Sequence, residues 1–239
     1  MNFIALISGG KDSIYTVNLL IKEGYKLQGL VYIYSVSDTI DSYMYQTVGK
    51  EVIQAYSQCL NVPLFVKESK CLAKNTDLNY KPTNEDEVED LFFVLKEIPL
   101  DYQAVSSGAI LSSYQKNRVD SVCKRLNKVS LAPLYNKNQL NLLQEMINYK
   151  IKALVVKVAG IEKEFLLKNL EDLYEYYKDK PHHNACGEGG EYETIVLDSP
   201  CFVKRIVFTK TEILPHPDEI GKKENCFFVK IHEFKLENK

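Results

Sequence analysis

The chain has 239 residues, which suffice for one large domain or two small ones with a sizeable core. A hydrophobic content of 45% and a charged content of 26% are ordinary for a globular protein and argue against a disordered one. The formal net charge of −2 gives no overall attraction to nucleic acid, and no apolar run is long enough to cross a membrane.

The amino terminus lacks the basic and apolar regions of a secretory signal. The six cysteines contain no CxxC pair, and the four histidines form no pattern typical of a metal site. We therefore expect a cytoplasmic protein whose thiols are reduced.

The first predicted element is a buried strand over residues 3–7, and an amphipathic helix ends near Lys22. Between them lies a Gly-rich turn, which consists of Ser8, Gly9, Gly10, Lys11, Asp12 and Ser13. Backbone N–H groups of such a turn and the dipole of the following helix form an anion site. Lys11 adds a positive charge, and Asp12 can cap the helix or bind a metal ion. The alternative is a strand-to-helix turn that binds nothing.

The rhythm of strand and helix continues through the first half of the chain. Further strands are predicted over residues 27–34, 64–66, 104–110 and 129–134, and helices over residues 41–60, from an N-cap at Asn84, and over residues 115–126. This alternation predicts an α/β fold with a doubly wound parallel five-stranded sheet. Ligands bind such sheets beyond the carboxyl ends of the strands, which brings residues 8–13, the segment after Tyr34 and Gly108 to one edge.

The second half of the chain has a different pattern. Helices are predicted over residues 140–149 and 165–177, and strands over residues 152–158, 195–197, 205–213 and 227–234. The last two strands partly alternate between apolar and polar residues, as antiparallel strands do. We predict a domain over residues 1–135 and a smaller C-terminal α+β domain over residues 136–239.

A second unusual segment lies between these predicted elements. It consists of Cys186, Gly187, Glu188, Gly189, Gly190, Glu191, Tyr192, Glu193 and Thr194. Carboxylates packed this closely repel one another unless a positive group lies between them, and Mg²⁺ or a cationic substrate group would serve. The alternative is a solvated acidic turn. Cys186 is either a nucleophile or a small half-buried thiol, and the second interpretation is favoured.

The turn after the first strand resembles the PP-loop of ATP pyrophosphatases, whose fold is adenine nucleotide alpha hydrolase-like. Nearly the whole chain resembles the diphthine–ammonia ligase family within that superfamily. The segments that carry the resemblance are residues 6–13, 41–49, 86–91, 108–115, 118–119, 122–126 and 187–194. The chain departs from the family at Tyr135, where members carry Trp, and in a shorter segment after Gly160.

The resemblance implies an ATP-dependent ligase that forms a C–N bond. It implies amidation of diphthine on translation elongation factor 2 to diphthamide, through an adenylated carboxylate that ammonia attacks, with release of AMP and pyrophosphate. ATP, Mg²⁺ and ammonium are the small molecules required. The partner is the elongation factor, with no membrane and no direct nucleic acid.

The resemblance also implies roles for particular residues. The expected catalytic residues are Lys11, Asp12, Glu188 and Glu191, with Asp12 as the metal ligand. The expected ATP-binding residues are Ser8, Gly9, Gly10, Lys11, Asp12, Ser13, Tyr32 and Gly108. The expected substrate-binding residues are Glu188, Gly189, Gly190, Glu191, Tyr192, Glu193 and Thr194. The carboxylates of this last set bind the trimethylammonium group of diphthine or take a proton from ammonium. Both roles stay open.

Two alternative functions and the interpretation of one acidic stretch complete the sequence-based hypotheses. A tRNA-modifying PP-loop enzyme would favour paired cysteines or a basic face, and a non-catalytic ATP-binding scaffold would not need Lys11 and the Glu188–Thr194 segment intact. The acidic stretch from Glu85 to Asp90 is either a docking patch for the elongation factor or an ordinary helix start, which is the favoured interpretation.

Overall fold

The computed structural model describes residues 1–35, 48–70, 72–180, 182–216 and 225–239. The segment directly after Tyr34 and the first part of the helix predicted over residues 41–60 lie mostly outside these ranges, as does Cys71. Within them, no helix is both long enough and apolar enough to span a lipid bilayer.

The first half of the chain forms the predicted five-stranded parallel sheet. Its strands are β1 (Asn2–Leu6), β2 (Lys26–Ser35), β3 (Leu64–Ser69), β4 (Ala104–Ser106) and β5 (Val129–Leu131). Their order across the sheet is β3-β2-β1-β4-β5, and every neighbouring pair is parallel. The direction of winding therefore reverses between β1 and β4, which is where a doubly wound sheet opens a ligand crevice. The predicted fold class is confirmed.

Among the described residues, four α-helices accompany this sheet: α1 (Lys11–Lys22), α2 (Ile53–Leu60), α3 (Glu87–Glu97) and α4 (Ser113–Arg125). The prediction that Asn84 caps α3 is wrong. The cap is Asp86, whose carboxylate accepts the N–H of Val88 at 3.0 Å. The same carboxylate accepts the N–H of Asn75 at 2.9 Å. This bond to the preceding loop holds Asp86 in the N-cap position.

The acidic stretch around the start of α3 is engaged within the chain. Glu85 pairs with Lys74 at 2.6 Å, and Glu89 makes two hydrogen bonds with Arg125. Glu87 is buried. These contacts favour the interpretation of the stretch as an ordinary helix start over that of a docking patch.

In the part of the second half that the structure describes, the chain forms an antiparallel sheet with two α-helices. Its elements are α5 (Gln139–Asn148), β6 (Lys152–Val158), α6 (Leu170–Tyr177), β7 (Tyr192–Asp198), β8 (Lys204–Pro215) and β9 (Phe227–Asn238). The strand order is β7-β6-β9-β8. This smaller sheet with its helices is the α+β arrangement that was predicted, while the division at residue 135 stays a prediction.

The single helix predicted over residues 165–177 is wrong in its first third. A 3-10 turn over Lys163–Phe165 is followed by Leu167 at a φ of 65°, and α6 begins only after Asn169. The backbone of Leu167 donates to the Val155 carbonyl of β6 at 2.8 Å. Asn169 and Asp172 form a capping box, which fixes the late start of the helix. The backbone bond from Leu167 to β6 and the capping box therefore outweigh the helical spacing of the leucines.

The two sheets share one continuous core and a direct backbone link. Ile14 and Val17 of α1 belong to the same buried cluster as Ile195 of β7. The Val196 N–H donates to the carbonyl of Gly9 at 2.9 Å. The buried hydroxyl of Tyr56 in α2 lies 2.9 Å from the same carbonyl and 2.8 Å from the carbonyl of Val196. The turn after β1 is thus attached to the second sheet.

We predict that Tyr56→Phe lowers the free energy of unfolding by about 1 kcal/mol, because the hydrogen bond of a buried hydroxyl is lost. Urea denaturation measures the loss. The matched control is Tyr102→Phe, which removes a buried hydroxyl bonded to the Leu95 carbonyl within the first half of the chain. An unchanged unfolding midpoint for Tyr56→Phe beside a lowered one for Tyr102→Phe would contradict the importance of the link.

Candidate active site

A cavity of about 460 Å³ lies at the carboxyl ends of β1, β2 and β4 and is bounded by the segment from Cys186 to Thr194. Its lining includes most of the residues predicted for the site: Ser8, Gly10, Lys11, Asp12, Ser13, Tyr32, Gly108, Glu188, Gly189, Gly190, Tyr192, Glu193 and Thr194. Of the predicted residues, Gly9 and Glu191 lie outside the lining. The two motifs, far apart in sequence, therefore line one cavity.

The turn after β1 is held by its own serines. The Gly10 N–H donates to Ser8 Oγ at 3.2 Å, and Ser13 Oγ donates to the Gly10 carbonyl at 3.0 Å. Gly9 has a φ of 86°, in the left-handed region that favours glycine. The serine hydroxyls thus shape the loop in addition to facing the cavity.

Lys11 is the residue that joins the two motifs. Its side chain is buried, and its ammonium donates to Asp12 Oδ2 at 3.0 Å and to the carbonyl of Cys186. It also lies 5.0 Å from the ring centre of Tyr192, while its backbone N–H donates to Thr194 Oγ1 at 3.0 Å. Burial by itself lowers the pKa of Lys11. The charge and hydrogen bond of Asp12, together with nearby Cys186 and Glu188, outweigh burial, so the pKa is raised above its ordinary value. Lys11 is therefore a fixed positive charge at the cavity wall.

Asp12 has one oxygen that suits a metal ion. Its Oδ2 accepts from Lys11, whereas Oδ1 is buried without a hydrogen-bond partner among the described residues. Burial raises the pKa of this carboxyl. No group of three or more acidic, His or Cys side chains that could hold a metal occurs in the described ranges. Asp12 therefore fits Mg²⁺ in the manner that this ion prefers, through one protein carboxylate together with phosphate oxygens and water.

The three glutamates of the Gly-rich segment each have a partner within the chain. Glu188 Oε2 accepts the backbone N–H groups of Leu111 and Ser112, at 2.8 and 3.3 Å, just before α4. Glu193 pairs with the buried Lys157 of β6 at 3.1 Å. Glu191 accepts from Asn184. The carboxylates are thus separated by their partners, and no external cation is needed to hold them together. Burial raises the pKa of Glu188.

Gly108 and Tyr32 occupy the edge of the cavity formed by β4 and β2. A Cβ at Gly108 would lie 2.8 Å from the backbone nitrogen of Ser13 and 2.9 Å from the carbonyl carbon of Asp12. Glycine is required there because the turn after β4 packs directly on the start of α1. The ring of Tyr32 is buried and stacks on Tyr34 with centroids 6.2 Å apart.

Some residues of the site escaped the sequence analysis. Ser107 and Gln115 line the cavity, and Ser107 follows β4 much as Ser8 follows β1, a signal that was available. Lys157 was identifiable only as a charge within the apolar part of β6, a strand that also begins with a lysine. Its pairing with Glu193 depends on the register of β6 with β7.

Two family models match the chain. One, described as the diphthamide synthase N-terminal domain, matches residues 1–130, and the other, described as the diphthamide synthase C-terminal domain, matches residues 138–222. The protein from Mus musculus named diphthine--ammonia ligase is 42% identical over 229 residues, which cover 90% of this chain and 86% of that protein.

Two further relatives carry the same name. The protein from Homo sapiens is 40% identical over 229 residues, with 90% of this chain and 86% of that protein covered. The protein from Schizosaccharomyces pombe is 41% identical over 226 residues, with 90% of this chain covered. The matched region spans 37% of that longer protein.

We predict that Cys186 resists alkylation in the folded protein. Its thiol is buried and donates to the carbonyl of Gln139 at 3.3 Å, and burial raises the pKa to about 12. At pH 8 only about 10⁻⁴ of such a thiol is thiolate, the reactive form. Iodoacetamide labelling followed by peptide mass spectrometry checks this, with urea-unfolded protein as the control. Labelling of Cys186 at the same rate in folded and unfolded protein would revive its interpretation as a nucleophile.

Proposed function

The chain belongs to the diphthamide synthase family, and from this membership we propose that it is a diphthine–ammonia ligase. The observation that best supports the proposal is the position of Lys11, which contacts both Asp12 and the carbonyl of Cys186 at one cavity. A site for the phosphates of ATP and a site for the carboxylate acceptor would then meet at a single ammonium group. The substrate is diphthine on translation elongation factor 2. The expected location of the protein is the cytoplasm.

The reaction proceeds in two steps, adenylation of the carboxylate and its displacement by ammonia. A carboxylate oxygen of diphthine attacks the α-phosphorus of ATP, the bond to the bridging oxygen breaks, and pyrophosphate leaves with its electrons. The nitrogen of ammonia then attacks the acyl carbon, the bond from that carbon to the AMP oxygen breaks, and one proton is lost from nitrogen. The products are the amide of diphthamide, AMP and pyrophosphate.

The turn after β1 stabilises the departing pyrophosphate. Lys11 offers a third N–H after its bonds to Asp12 and Cys186, since a lysine ammonium has three donors. The backbone of Gly9 and Gly10 and the hydroxyl of Ser13 would complete the phosphate site, with Ser8 in support. The Gly10 N–H and the Ser13 hydroxyl would exchange their bonds within the turn for bonds to phosphate oxygens. Preorganised donors of this kind contribute about 3–4 kcal/mol each in favourable cases. Mg²⁺ at Asp12 would neutralise phosphate charge.

The remaining cavity residues serve the adenosine and the acceptor. The AMP moiety lies between Tyr32 and Gly108. The acceptor lies against Tyr192, Glu193 and Thr194. Glu188 is the carboxylate best suited to the trimethylammonium group or to the proton of ammonium. It lines the cavity and is held by backbone N–H groups instead of a cationic side chain. Free ammonium supplies the nitrogen.

The decisive experiment measures AMP formed from ATP in the presence of ammonium and elongation factor 2 that carries diphthine. Conversion of diphthine to diphthamide, followed by mass spectrometry of the modified peptide, is the second readout. AMP release that depends on tRNA and not on the elongation factor would favour the tRNA-modifying alternative. ATP binding without any AMP formation would favour the scaffold alternative.

We predict that Lys11→Ala lowers the rate of AMP formation by about 10²–10³-fold, because one preorganised charge on the leaving pyrophosphate is lost. Steady-state kinetics with the diphthine-bearing elongation factor measure the loss. The matched control is Lys22→Ala, at the other end of α1, which should retain the wild-type rate. Equal rates for wild-type protein and Lys11→Ala would contradict the assignment.

We predict that Asp12→Asn raises the Mg²⁺ concentration for half-maximal activity about tenfold or more, because a neutral amide oxygen replaces the carboxylate that suits this ion. A titration of activity against Mg²⁺ at saturating ATP measures the shift. Asp120→Asn, at a partly buried carboxylate on α4 that pairs with Lys116, is the control. An unchanged Mg²⁺ requirement in Asp12→Asn would remove Asp12 from the metal site.

A further inference from the structure

A chain of hydrogen bonds ties the Gly-rich segment to the start of α5. Gln139 Oε1 accepts the backbone N–H of Cys186 at 2.8 Å, and Gln139 Nε2 donates to Asn184 Oδ1 at 3.1 Å. Asn184 Nδ2 donates to Glu191 Oε1 at 2.7 Å, and Glu191 Oε2 accepts the backbone N–H of Gly189 at 2.9 Å. Both ends of this chain are therefore backbone donors of the same segment.

The number of donors and acceptors in this chain of hydrogen bonds requires that its three side chains be one carboxylate and two amides. Each of its links needs one donor and one acceptor, and the backbone N–H groups of Cys186 and Gly189 supply only donors. Two amides and one carboxylate satisfy every link, whereas three amides leave one donor facing another donor. The count does not depend on which of Gln139, Asn184 and Glu191 is the carboxylate.

The Gly-rich segment held by these hydrogen bonds also contains a hydrogen-bond partner of Lys11. The Cys186 carbonyl that accepts from the Lys11 ammonium belongs to the residue whose N–H is bonded to Gln139. Space around Glu191 is tight, since a Cβ at Gly189 would lie 2.6 Å from Glu191 Oε1 and one at Gly160 would lie 3.0 Å from its Cγ. Glu191 itself lies outside the cavity lining.

We propose that Gln139, Asn184 and Glu191 are positioning residues that hold the Cys186 carbonyl against Lys11 and so orient its ammonium for the phosphates of ATP. Glu191 then acts through its hydrogen bonds and not as a catalytic carboxylate. The inference rests on the proposed function, because it takes ATP as the ligand of Lys11.

The test exploits the count of donors and acceptors. Glu191→Gln and Asn184→Asp should each weaken ATP binding about tenfold, as one link becomes repulsive. They should raise the KM for ATP by a larger factor than the KM for the diphthine-bearing elongation factor. The double variant Asn184→Asp with Glu191→Gln moves the carboxylate from position 191 to position 184 and restores every link. It should therefore recover ATP affinity to within about threefold of wild type. Gln139→Glu with Glu191→Gln should recover it too.

Calorimetric titration with ATP and the rate of AMP formation are the readouts. The matched control is Gln144→Glu, a change of the same kind at a partly exposed residue of α5 that bonds to Asn148 and lies outside the hydrogen-bond chain. It should behave as wild type. If wild-type protein is active and neither pair recovers, the carboxylate at Glu191 is itself required and the positioning role is overturned. Wild-type affinity in Glu191→Gln alone would overturn it as well. Failure of wild-type protein to bind ATP or form AMP would instead contradict the proposed function.

Discussion

The bond between the Lys11 ammonium and the Cys186 carbonyl is the interaction on which this molecule depends. A buried ammonium is costly unless charged and polar partners surround it. Here one partner, Asp12, is a sequence neighbour, and the others, Cys186 and Tyr192, arrive from the second half of the chain. The Gly-rich turn can therefore keep its charge buried only when both halves are folded and packed together.

Parallel and antiparallel sheets contribute differently to the site. The parallel sheet supplies the crevice, because its winding reverses between β1 and β4. The antiparallel sheet supplies the wall, since β7 contributes Tyr192, Glu193 and Thr194 and continues to the backbone link with Gly9. The first element of the chain thus reaches its working geometry through contacts with one of the last.

Local patterns made most of the fold and both motifs predictable from sequence. Apolar runs and helical spacing identify β1, α1 and β6, and the Gly-rich turn identifies the end of β1. What escaped prediction depends on distant partners. The late start of α6 requires pairing with Val155, and the separation of the glutamates requires Lys157 and the N–H groups before α4. Close spacing in sequence suggested mutual repulsion, but the side chains diverge in space.

The Gly9 carbonyl, which accepts from both Val196 and Tyr56, has a consequence for biosynthesis. Residues 1–131 contain every strand of the parallel sheet, and that part leaves the ribosome first. Its Gly-rich turn lacks the Val196 N–H and the Cys186 carbonyl until β7 has been synthesised. The wall of the cavity that Cys186 and β7 supply is therefore completed only after the whole parallel sheet has been synthesised.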